Sequence, residues 1–239
     1  MKLKSNRLNI GILKCHRVPE HFASTHGDYP EMIAKMLLLE DSSLSFTIYN
    51  AEQGELPASV HECDAYMITG SRHGVNDEFV WITKLEEFIR QLHVAKKKLI
   101  GICFGHQLIA KALGGQVERS SNGWGVEISK NKIEQLRPWM VPSCQTFNLI
   151  MSHQDQVTRL PANAVILASN DRCPFYMLQI DNNLTIQGHP ELSKEYMYDL
   201  IESRKERLNT EEYEAGLQSL KLNMNDQIIA SWIINFLQH

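Results

Sequence analysis

A cysteine between two glycines is the residue whose surroundings point most directly to covalent chemistry. Cys103 lies in the sequence Gly101-Ile102-Cys103-Phe104-Gly105, between a short apolar run and a segment of helical character. This is the cysteine form of the nucleophile elbow, a tight strand-to-helix turn that exposes the reactive atom above the sheet. The N-terminus of the following helix favours a thiolate over a thiol. We therefore predict that Cys103 is a catalytic nucleophile.

A cysteine nucleophile needs a histidine that moves protons and a third group that orients that histidine. His189 follows a predicted strand at residues 184–187, and Pro190 favours an extended backbone at the residue before it. Glu191 then lies on the same side of the chain as His189, since residues i and i+2 share a face in an extended segment. We predict His189 as the base and Glu191 as its orienting carboxylate, whereas His106 is expected to point away from the sulfur.

The negative oxygen that forms during acyl transfer requires N–H donors that are already in place. Phe104 follows the nucleophile directly, so its backbone N–H is the first expected donor. The turn Gly70-Ser71 comes at the end of another predicted strand and is the expected second source. We predict that Phe104, Gly70 and Ser71 form an oxyanion hole.

The elements that must position these residues follow from the spacing of apolar side chains. Apolar runs of four to seven residues alternate with longer amphipathic stretches, which is typical of βαβ units. We expect one α/β domain at residues 1–192, with an open, mostly parallel sheet flanked by helices, and a C-terminal helical extension packed on it at residues 193–239. Predicted strands cover residues 8–13, 44–49, 65–69 and 98–102, and predicted helices cover residues 29–39, 79–96, 105–113, 195–208 and 226–237. Residues 115–190 are predicted to be mainly strands.

The composition excludes several classes of function. The 239 residues carry a formal net charge of −4, and Lys and Arg are scattered rather than forming the basic stripe that a nucleic-acid partner would need. No window approaches the roughly 20 apolar residues of a membrane span, and the N-terminus does not resemble a signal peptide. The five cysteines show no CxxC spacing, which argues against a disulfide framework and a zinc ribbon. We expect a cytoplasmic protein that binds no nucleic acid, membrane, cofactor or metal.

One segment near the N-terminus is rich in metal-ligand atoms. It contains Cys15, His16, His21 and His26, but their spacing, with Pro19 between them, matches no compact zinc pattern. We interpret the segment as a polar loop over the carboxyl edge of the sheet. We expect this loop to shape the entrance for the substrate.

Three motifs together resemble the signature of the class I glutamine amidotransferase family. They are Gly101-Ile102-Cys103-Phe104-Gly105-His106-Gln107, Gly114-Gly115 and Gly188-His189-Pro190-Glu191. The resemblance covers about residues 8–192 and implies a flavodoxin-like fold. It also implies that Cys103 attacks the γ-amide of glutamine to form a γ-glutamyl thioester, that His189 protonates the departing ammonia, and that water then releases glutamate.

The same resemblance implies positions that bind the substrate. Gln107 is expected to contact the α-amino acid end of glutamine. The stretch Ser152-His153-Gln154-Asp155 matches a strand-loop segment that lies beside the same pocket in the family. We therefore predict Gln107, His153, Gln154 and Asp155 as substrate-binding residues.

Two short segments depart from the family members that are linked to synthetases. The guanylate synthase amidotransferase carries Ser-Gly-Gly-Pro and Ser-His-Gly-Asp, where this chain has Thr69-Gly70-Ser71-Arg72 and Ser152-His153-Gln154-Asp155. Both segments are more similar to free-standing members, which include plant γ-glutamyl peptidases that cleave glutathione conjugates. The departures leave the mechanism open to more than one γ-glutamyl substrate.

Three functions are compatible with the sequence. The first is a glutaminase that delivers ammonia to a separate synthase, because the residues after Leu192 are too few for a synthase domain. The second is a γ-glutamyl peptidase in which the same three side chains cleave a glutathione-like peptide. The third is a pseudoenzyme whose last helix docks on a partner through an apolar face. The presence of Cys103, His189 and Glu191 favours the two enzymes, with glutamine or another γ-glutamyl small molecule as the substrate.

Overall fold

Eleven strands and seven α-helices are present in residues 7–239, the part of the chain that the computed structural model describes. The strands are β1 (Asn9–Leu13), β2 (Ser45–Tyr49), β3 (Ala65–Ile68), β4 (Lys98–Ile102), β5 (Gln116–Arg119), β6 (Gly125–Ile133), β7 (Thr146–His153), β8 (Asp155–Arg159), β9 (Ala164–Ser169), β10 (Met177–Ile180) and β11 (Asn183–Ile186). The helices are α1 (Glu20–His26), α2 (Tyr29–Glu40), α3 (Val80–Val94), α4 (Phe104–Ala112), α5 (Lys194–Ser203), α6 (Thr210–Ser219) and α7 (Asp226–Gln238).

Nine of the strands form one sheet in the order β2-β1-β3-β4-β11-β10-β9-β6-β7, and β5 and β8 form a separate pair. The first five strands in this order are parallel neighbours. The four strands that follow are joined in antiparallel pairs. The prediction of a single α/β domain with a mostly parallel central sheet is confirmed. The antiparallel strands come from residues 115–190, for which the sequence predicts mainly strands.

Apolar side chains cover both faces of the parallel strands. On one face α2 and α7 pack against the sheet, with Ile33 and Trp232 fully buried. On the other face α3 and α4 pack against it, with Leu85 and Ile109 fully buried. Every residue of β3 and β11 is buried. Continuous burial of this kind is expected for parallel strands that are covered on both faces.

The C-terminal helices share these cores. The apolar face of α7 that the sequence offers for docking a partner is buried against the sheet, through Ile229, Trp232, Ile233 and Phe236. α5 packs in a third apolar cluster together with side chains of β6 and β7. The boundary after residue 192 stays a prediction. Within residues 7–239, no helix combines the length and the apolar content that crossing a bilayer requires.

Two helices differ from the expectation. The segment predicted to be a polar loop contains α1, so the loop prediction is wrong for residues 20–26. α1 has no buried residue, and it therefore lacks the apolar periodicity by which a helix is recognised. No helix is predicted at the position of α6, although this helix begins with a capping box of Asn209 and Glu212. That spacing is a local signal for a helix start, although the only buried residue of α6 is Gly216.

Candidate active site

Three neighbouring parallel strands end where the candidate residues meet. β3, β4 and β11 lie side by side in the sheet. The chain leaves β3 at the turn Gly70-Ser71, leaves β4 at Cys103, and continues from β11 to His189. Because the carboxyl ends of parallel strands share one edge of the sheet, all three segments are brought to that edge.

The backbone at Cys103 adopts φ 50° and ψ −97° at the joint between β4 and α4. A β-carbon at Gly101 would lie 2.6 Å from the backbone of Gly105, and one at Gly105 would lie 2.6 Å from the carbonyl oxygen of Ile68. Neither position therefore has room for a side chain. The cysteine is the N-cap of α4, where the free N–H groups of the first turn favour an anion.

The imidazole of His189 is fixed from two sides. Its backbone N–H donates to the carbonyl oxygen of Ile150 on β7 over 2.7 Å, and its Nδ1 lies 2.7 Å from Oε1 of Glu191. The side chain of Glu191 is fully buried, so water does not screen this contact. Burial by itself would lower the pKa of His189, but Glu191 and the sulfur of Cys103 outweigh it and raise that pKa to about 10. Glu191 therefore favours the protonated form of the ring.

The sulfur of Cys103 lies near this imidazole and accepts from an amide. It donates to the carbonyl oxygen of Ser152 over 4.0 Å, and it interacts electrostatically with His189. Gly70 lies against both residues, since a β-carbon there would be 3.0 Å from Cε1 of His189 and 3.9 Å from Cβ of Cys103. Nε2 of Gln187 donates to Sγ over 3.6 Å. A negative charge on the sulfur is thus balanced by an imidazolium and supported by a neutral donor.

Gln187 is the member of this arrangement that the sequence-based prediction missed. Its side chain is fully buried, and its Oε1 accepts from Nε2 of Gln107 over 3.0 Å. It stands two positions before His189, and residues at i and i+2 of an extended segment share a face. The signal that could have found it is therefore present in the sequence.

The residues predicted to form the oxyanion hole lie beside Cys103. Phe104 is the first residue of α4, where N–H groups have no acceptor within the helix. Oγ of Ser71 donates to the carbonyl oxygen of Cys15 and accepts from the N–H of His73, each over 3.1 Å, which fixes the turn after β3. Gly70 touches the imidazole and the cysteine, as described above. The role of these N–H groups as oxyanion donors stays a prediction.

Known proteins share both the sequence and the fold of this chain. Residues 26–203 match the family model described as glutamine amidotransferase class-I. The chain belongs to this family. Gamma-glutamyl peptidase 4 of Arabidopsis thaliana is 34% identical over 193 residues, which are 77% of this chain and 75% of that protein.

Two further amidotransferase relatives differ in how much of the chain they match. A glutamine-hydrolysing GMP synthase subunit from Sulfolobus acidocaldarius is 31% identical over 135 residues, which are 55% of this chain and 69% of that protein. The crystal structure of a glutamine amidotransferase from Thermotoga maritima superimposes with a TM-score of 0.76. It covers 98% of this chain and 97% of that chain at 17% identity, so the likeness concerns the fold.

A cavity of about 370 Å³ opens beside Cys103, and the four residues predicted to bind substrate are among those that line it. Nε2 of Gln107 donates to the carbonyl oxygen of Asp155 over 2.6 Å and to Oε1 of Gln187. The amide nitrogen of Gln107 therefore has two protein acceptors already. Contact of Gln107 with a substrate stays a prediction. In the structure, Gln107 also holds the side chain of Gln187 through a hydrogen bond.

The segment after β7 brings a neutral ring and a paired carboxylate to the cavity. His153 is buried, and burial together with the charge of His189 lowers the pKa of His153 to about 3. Oδ1 of Asp155 accepts from Nε of Arg119 over 3.3 Å. The carbonyl oxygen of Gln154 accepts from the N–H of Ser120 over 2.8 Å. Binding of substrate by these three residues also stays a prediction.

The four metal-ligating side chains of residues 15–26 do not come together. Cys15 is buried, His21 is exposed on α1, and Nε2 of His26 lies 2.7 Å from the carboxylate of Asp199 on α5. None of the histidines in this segment is among the described residues that line the cavity beside Cys103. The segment therefore packs toward α5 instead of lining the substrate entrance.

A different group, His16, Glu52 and His73, has potential ligand atoms within 4.8 Å of one another. Nδ1 of His16 and Nε2 of His73 each lie 3.3 Å from Oε1 of Glu52. The shared carboxylate oxygen is within hydrogen-bonding distance of both rings as they are. The geometry therefore fits a hydrogen-bonded chain of three side chains that braces the turn at Ser71.

Proposed function

We propose that this chain hydrolyses the γ-amide bond of a γ-glutamyl compound through a γ-glutamyl thioester on Cys103, with His189 and Glu191 completing the triad. The observation that supports this most directly is the position of Cys103 beside an imidazole whose Nδ1 lies 2.7 Å from a buried carboxylate. Membership of the class-I glutamine amidotransferase family supports the same chemistry.

In the first half of the reaction, the thiolate of Cys103 attacks the γ-carbonyl carbon and a C–S bond forms. The electron pair of the carbonyl bond moves to oxygen, where N–H groups of Phe104 and of the turn Gly70-Ser71 stabilise the negative charge. When the intermediate collapses, the C–N bond breaks and the leaving nitrogen takes a proton from His189. Glu191 stabilises the imidazolium before this transfer and keeps the ring in the orientation that the transfer requires.

In the second half, the neutral imidazole of His189 takes a proton from a water molecule, and the resulting hydroxide attacks the thioester carbon. The C–S bond breaks, its electron pair returns to the sulfur, and glutamate is released. The imidazole keeps the proton that it took from water, and the new γ-carboxyl group loses its own proton to solvent. The pair of Cys103 and His189 is thus restored as thiolate and imidazolium.

Two substrates fit this mechanism. Glutamine would yield ammonia, and the likeness to a glutamine-hydrolysing GMP synthase subunit supports a separate ammonia-using synthase as a partner. A γ-glutamyl peptide would yield an amine, and the likeness to a gamma-glutamyl peptidase supports this reaction. We place the peptide first, because that relative aligns over 77% of the chain and the synthase subunit over 55%.

The proposal is tested by offering glutamine and γ-glutamyl dipeptides to the purified protein in parallel, with products identified by mass spectrometry. We expect release of glutamate and a γ-glutamyl adduct on Cys103 in acid-quenched protein. Cys103→Ala should lower turnover by about 10⁴-fold or more, because the nucleophile is removed. Cys144→Ala serves as the matched control, since Cys144 is a free cysteine away from the site. Turnover that persists in Cys103→Ala, or a folded wild-type protein that forms neither product nor adduct, would contradict the proposal.

A further inference from the structure

Two arginines from the segment after α5 stack on a tryptophan beside the candidate nucleophile. Cζ of Arg204 lies 4.9 Å and Cζ of Arg207 lies 5.2 Å from the centre of the Trp124 ring. All three residues line the cavity that contains Cys103. A cation stacked on an aromatic ring is held in place without losing its charge. The stack therefore presents two fixed positive charges to the cavity.

Neither of these arginines has a carboxylate partner within residues 7–239. The side-chain hydrogen bond of Arg204 runs from Nη1 to Oγ of Ser152 over 2.6 Å, and no ion pair involves Arg204 or Arg207. A guanidinium has five N–H donors, and a partly buried arginine is ordinarily paired. Burial lowers the pKa of Arg204, so the guanidinium has lost part of its contact with water. Arg204 therefore has donors left for an anionic ligand.

The other charged groups of the cavity do not compensate these arginines. Its lining contains four arginines and two aspartates. Asp155 is paired with Arg119. Asp77 accepts from the N–H of Gly74 over 3.0 Å and lies 3.6 Å from Nδ1 of His73. The cavity thus keeps an excess of positive charge, of which Arg204 and Arg207 lie at the tryptophan stack and Arg72 lies elsewhere in the lining.

Arg204 lies on the imidazole side of the sulfur. Its Nη1 donates to Oγ of Ser152, which lies on β7 two residues after Ile150, and the carbonyl oxygen of Ile150 accepts from the backbone N–H of His189. The carbonyl oxygen of Ser152 accepts from Sγ of Cys103 over 4.0 Å. The leaving nitrogen must receive its proton from this imidazole. The part of a substrate that follows the leaving nitrogen therefore extends toward Arg204, whereas Gln107 and Asp155 are joined to each other elsewhere in the lining.

We propose that Arg204, assisted by Arg207 on the same tryptophan, binds a carboxylate of the amine that leaves, so that the site selects γ-glutamyl peptides with a free carboxylate over glutamine. This inference rests on the proposed function, since it assumes that a γ-glutamyl bond is held beside Cys103. The carboxylate recognition site consists of Arg204, Arg207 and Trp124, which lie outside the candidate triad and outside the predicted substrate segment. Glutamine carries no carboxylate on its leaving nitrogen.

The test measures binding rather than turnover, in the Cys103→Ala background, where the ligands stay intact. Calorimetry compares γ-glutamylglycine with γ-glutamylglycinamide, which differ only in the carboxylate of the leaving part. We expect the acid to bind at least about tenfold more tightly than the amide, as a charge-assisted contact to a carboxylate allows. Arg204→Met should abolish this preference and leave the affinity for the amide within about twofold. Arg159→Met removes an exposed arginine outside the cavity and should preserve the preference.

Equal affinities of acid and amide would overturn the inference, as would a preference that survives Arg204→Met. A loss of both ligands in folded Arg204→Met would also overturn it, because Arg204 would then bind the glutamyl part that the two ligands share. Arg207→Met is the companion variant, because Arg207 is exposed and its loss is tolerated by the fold. It should reduce the preference by about threefold, as the removal of a more distant charge does. Failure of the proposed hydrolysis is a separate result, since it appears in turnover by the wild type and not in these affinities.

Discussion

The parallel and the antiparallel halves of the sheet border the same cavity but supply different kinds of group to it. The parallel half and its exits supply Cys103, Gln187 and His189, whose exposed fractions are 6%, 0% and 5%. The antiparallel half and the helices packed on it supply Trp124 and Arg204, which are partly exposed. The first group is held by strand ends and glycine contacts, and the second by stacking and single hydrogen bonds.

In the proposed mechanism, this difference separates the groups that break the bond from those that select the substrate. A displacement of Cys103 or His189 requires the backbone of adjacent strands to move, because each is fixed at a strand end by buried contacts. Trp124 and Arg204 can change without moving a strand. We therefore expect substitutions in the first group to lower stability or the rate of the chemical step. Substitutions in the second should change the affinity for particular substrates.

The largest effect should come from filling the elbow in the parallel half. Gly105→Ala places a β-carbon 2.6 Å from the carbonyl oxygen of Ile68, and neither backbone can yield without distorting β3 or α4. We expect a loss of about 3 kcal/mol or more in the free energy of unfolding, measured with urea. Gly54→Ala is the control, because its β-carbon meets nothing within 4 Å although φ is +86°, and it should cost about 1 kcal/mol. Equal losses in the two variants would show that the elbow is not sterically closed.

The next effect concerns the carboxylate that holds the imidazole. Glu191→Gln removes the charge that raises the pKa of His189, so that pKa should fall from its value of about 10. The general acid would then be deprotonated at lower pH, and the alkaline limb of the kcat/KM profile should move toward neutral pH. We expect kcat to fall by about 10²-fold, the lower end of what a positioned proton donor contributes. A variant with reduced kcat and an unmoved alkaline limb would show that Glu191 acts only in packing.

A smaller effect compares one buried histidine from each half. Burial lowers the pKa values of His106 on α4 and His153 on β7 to about 3. The unfolded chain takes up these protons near pH 6.5, so stability is lost as the pH falls from 6.5 toward 3. Each histidine contributes about 1.4 kcal/mol per pH unit to this loss. His106→Gln should flatten the slope by that amount in urea unfolding between pH 6.5 and 4, whereas exposed His61→Gln should leave it unchanged. A slope that His106→Gln does not alter would contradict the buried neutral ring.

The smallest effect should come from the stack in the antiparallel half. Trp124→Leu removes the ring on which Arg204 and Arg207 rest, and a partly exposed contact of this kind contributes about 0.5–1 kcal/mol. We expect KM for γ-glutamyl peptides to rise by about threefold, with a smaller change in kcat. Steady-state kinetics on one peptide are sufficient to measure this. A fall in kcat without a change in KM would place Trp124 with the bond-breaking groups and remove the distinction between the two halves.

Much of the fold could be predicted because its elements leave local patterns. β4 and α4 were recognisable from an apolar run followed by an amphipathic one, and the structure places them at residues 98–102 and 104–112. α1 left no such pattern, because it buries no side chain. The antiparallel order β10-β9-β6-β7 could not be predicted either, since strand neighbours in a sheet depend on the packing of the whole chain.

The sequence by itself determined the local geometry of the candidate site. Cys103 stands between glycines that only a tight turn requires, and His189 and Glu191 stand two apart around a proline, so neighbouring residues set their conformations. Only the tertiary structure decided that β3, β4 and β11 lie side by side. It also decided that Gln187 reaches a sulfur 84 positions away and that Arg204 reaches a serine 52 positions away. Contacts over such separations are set by the packing of distant segments, which no local conformational preference encodes.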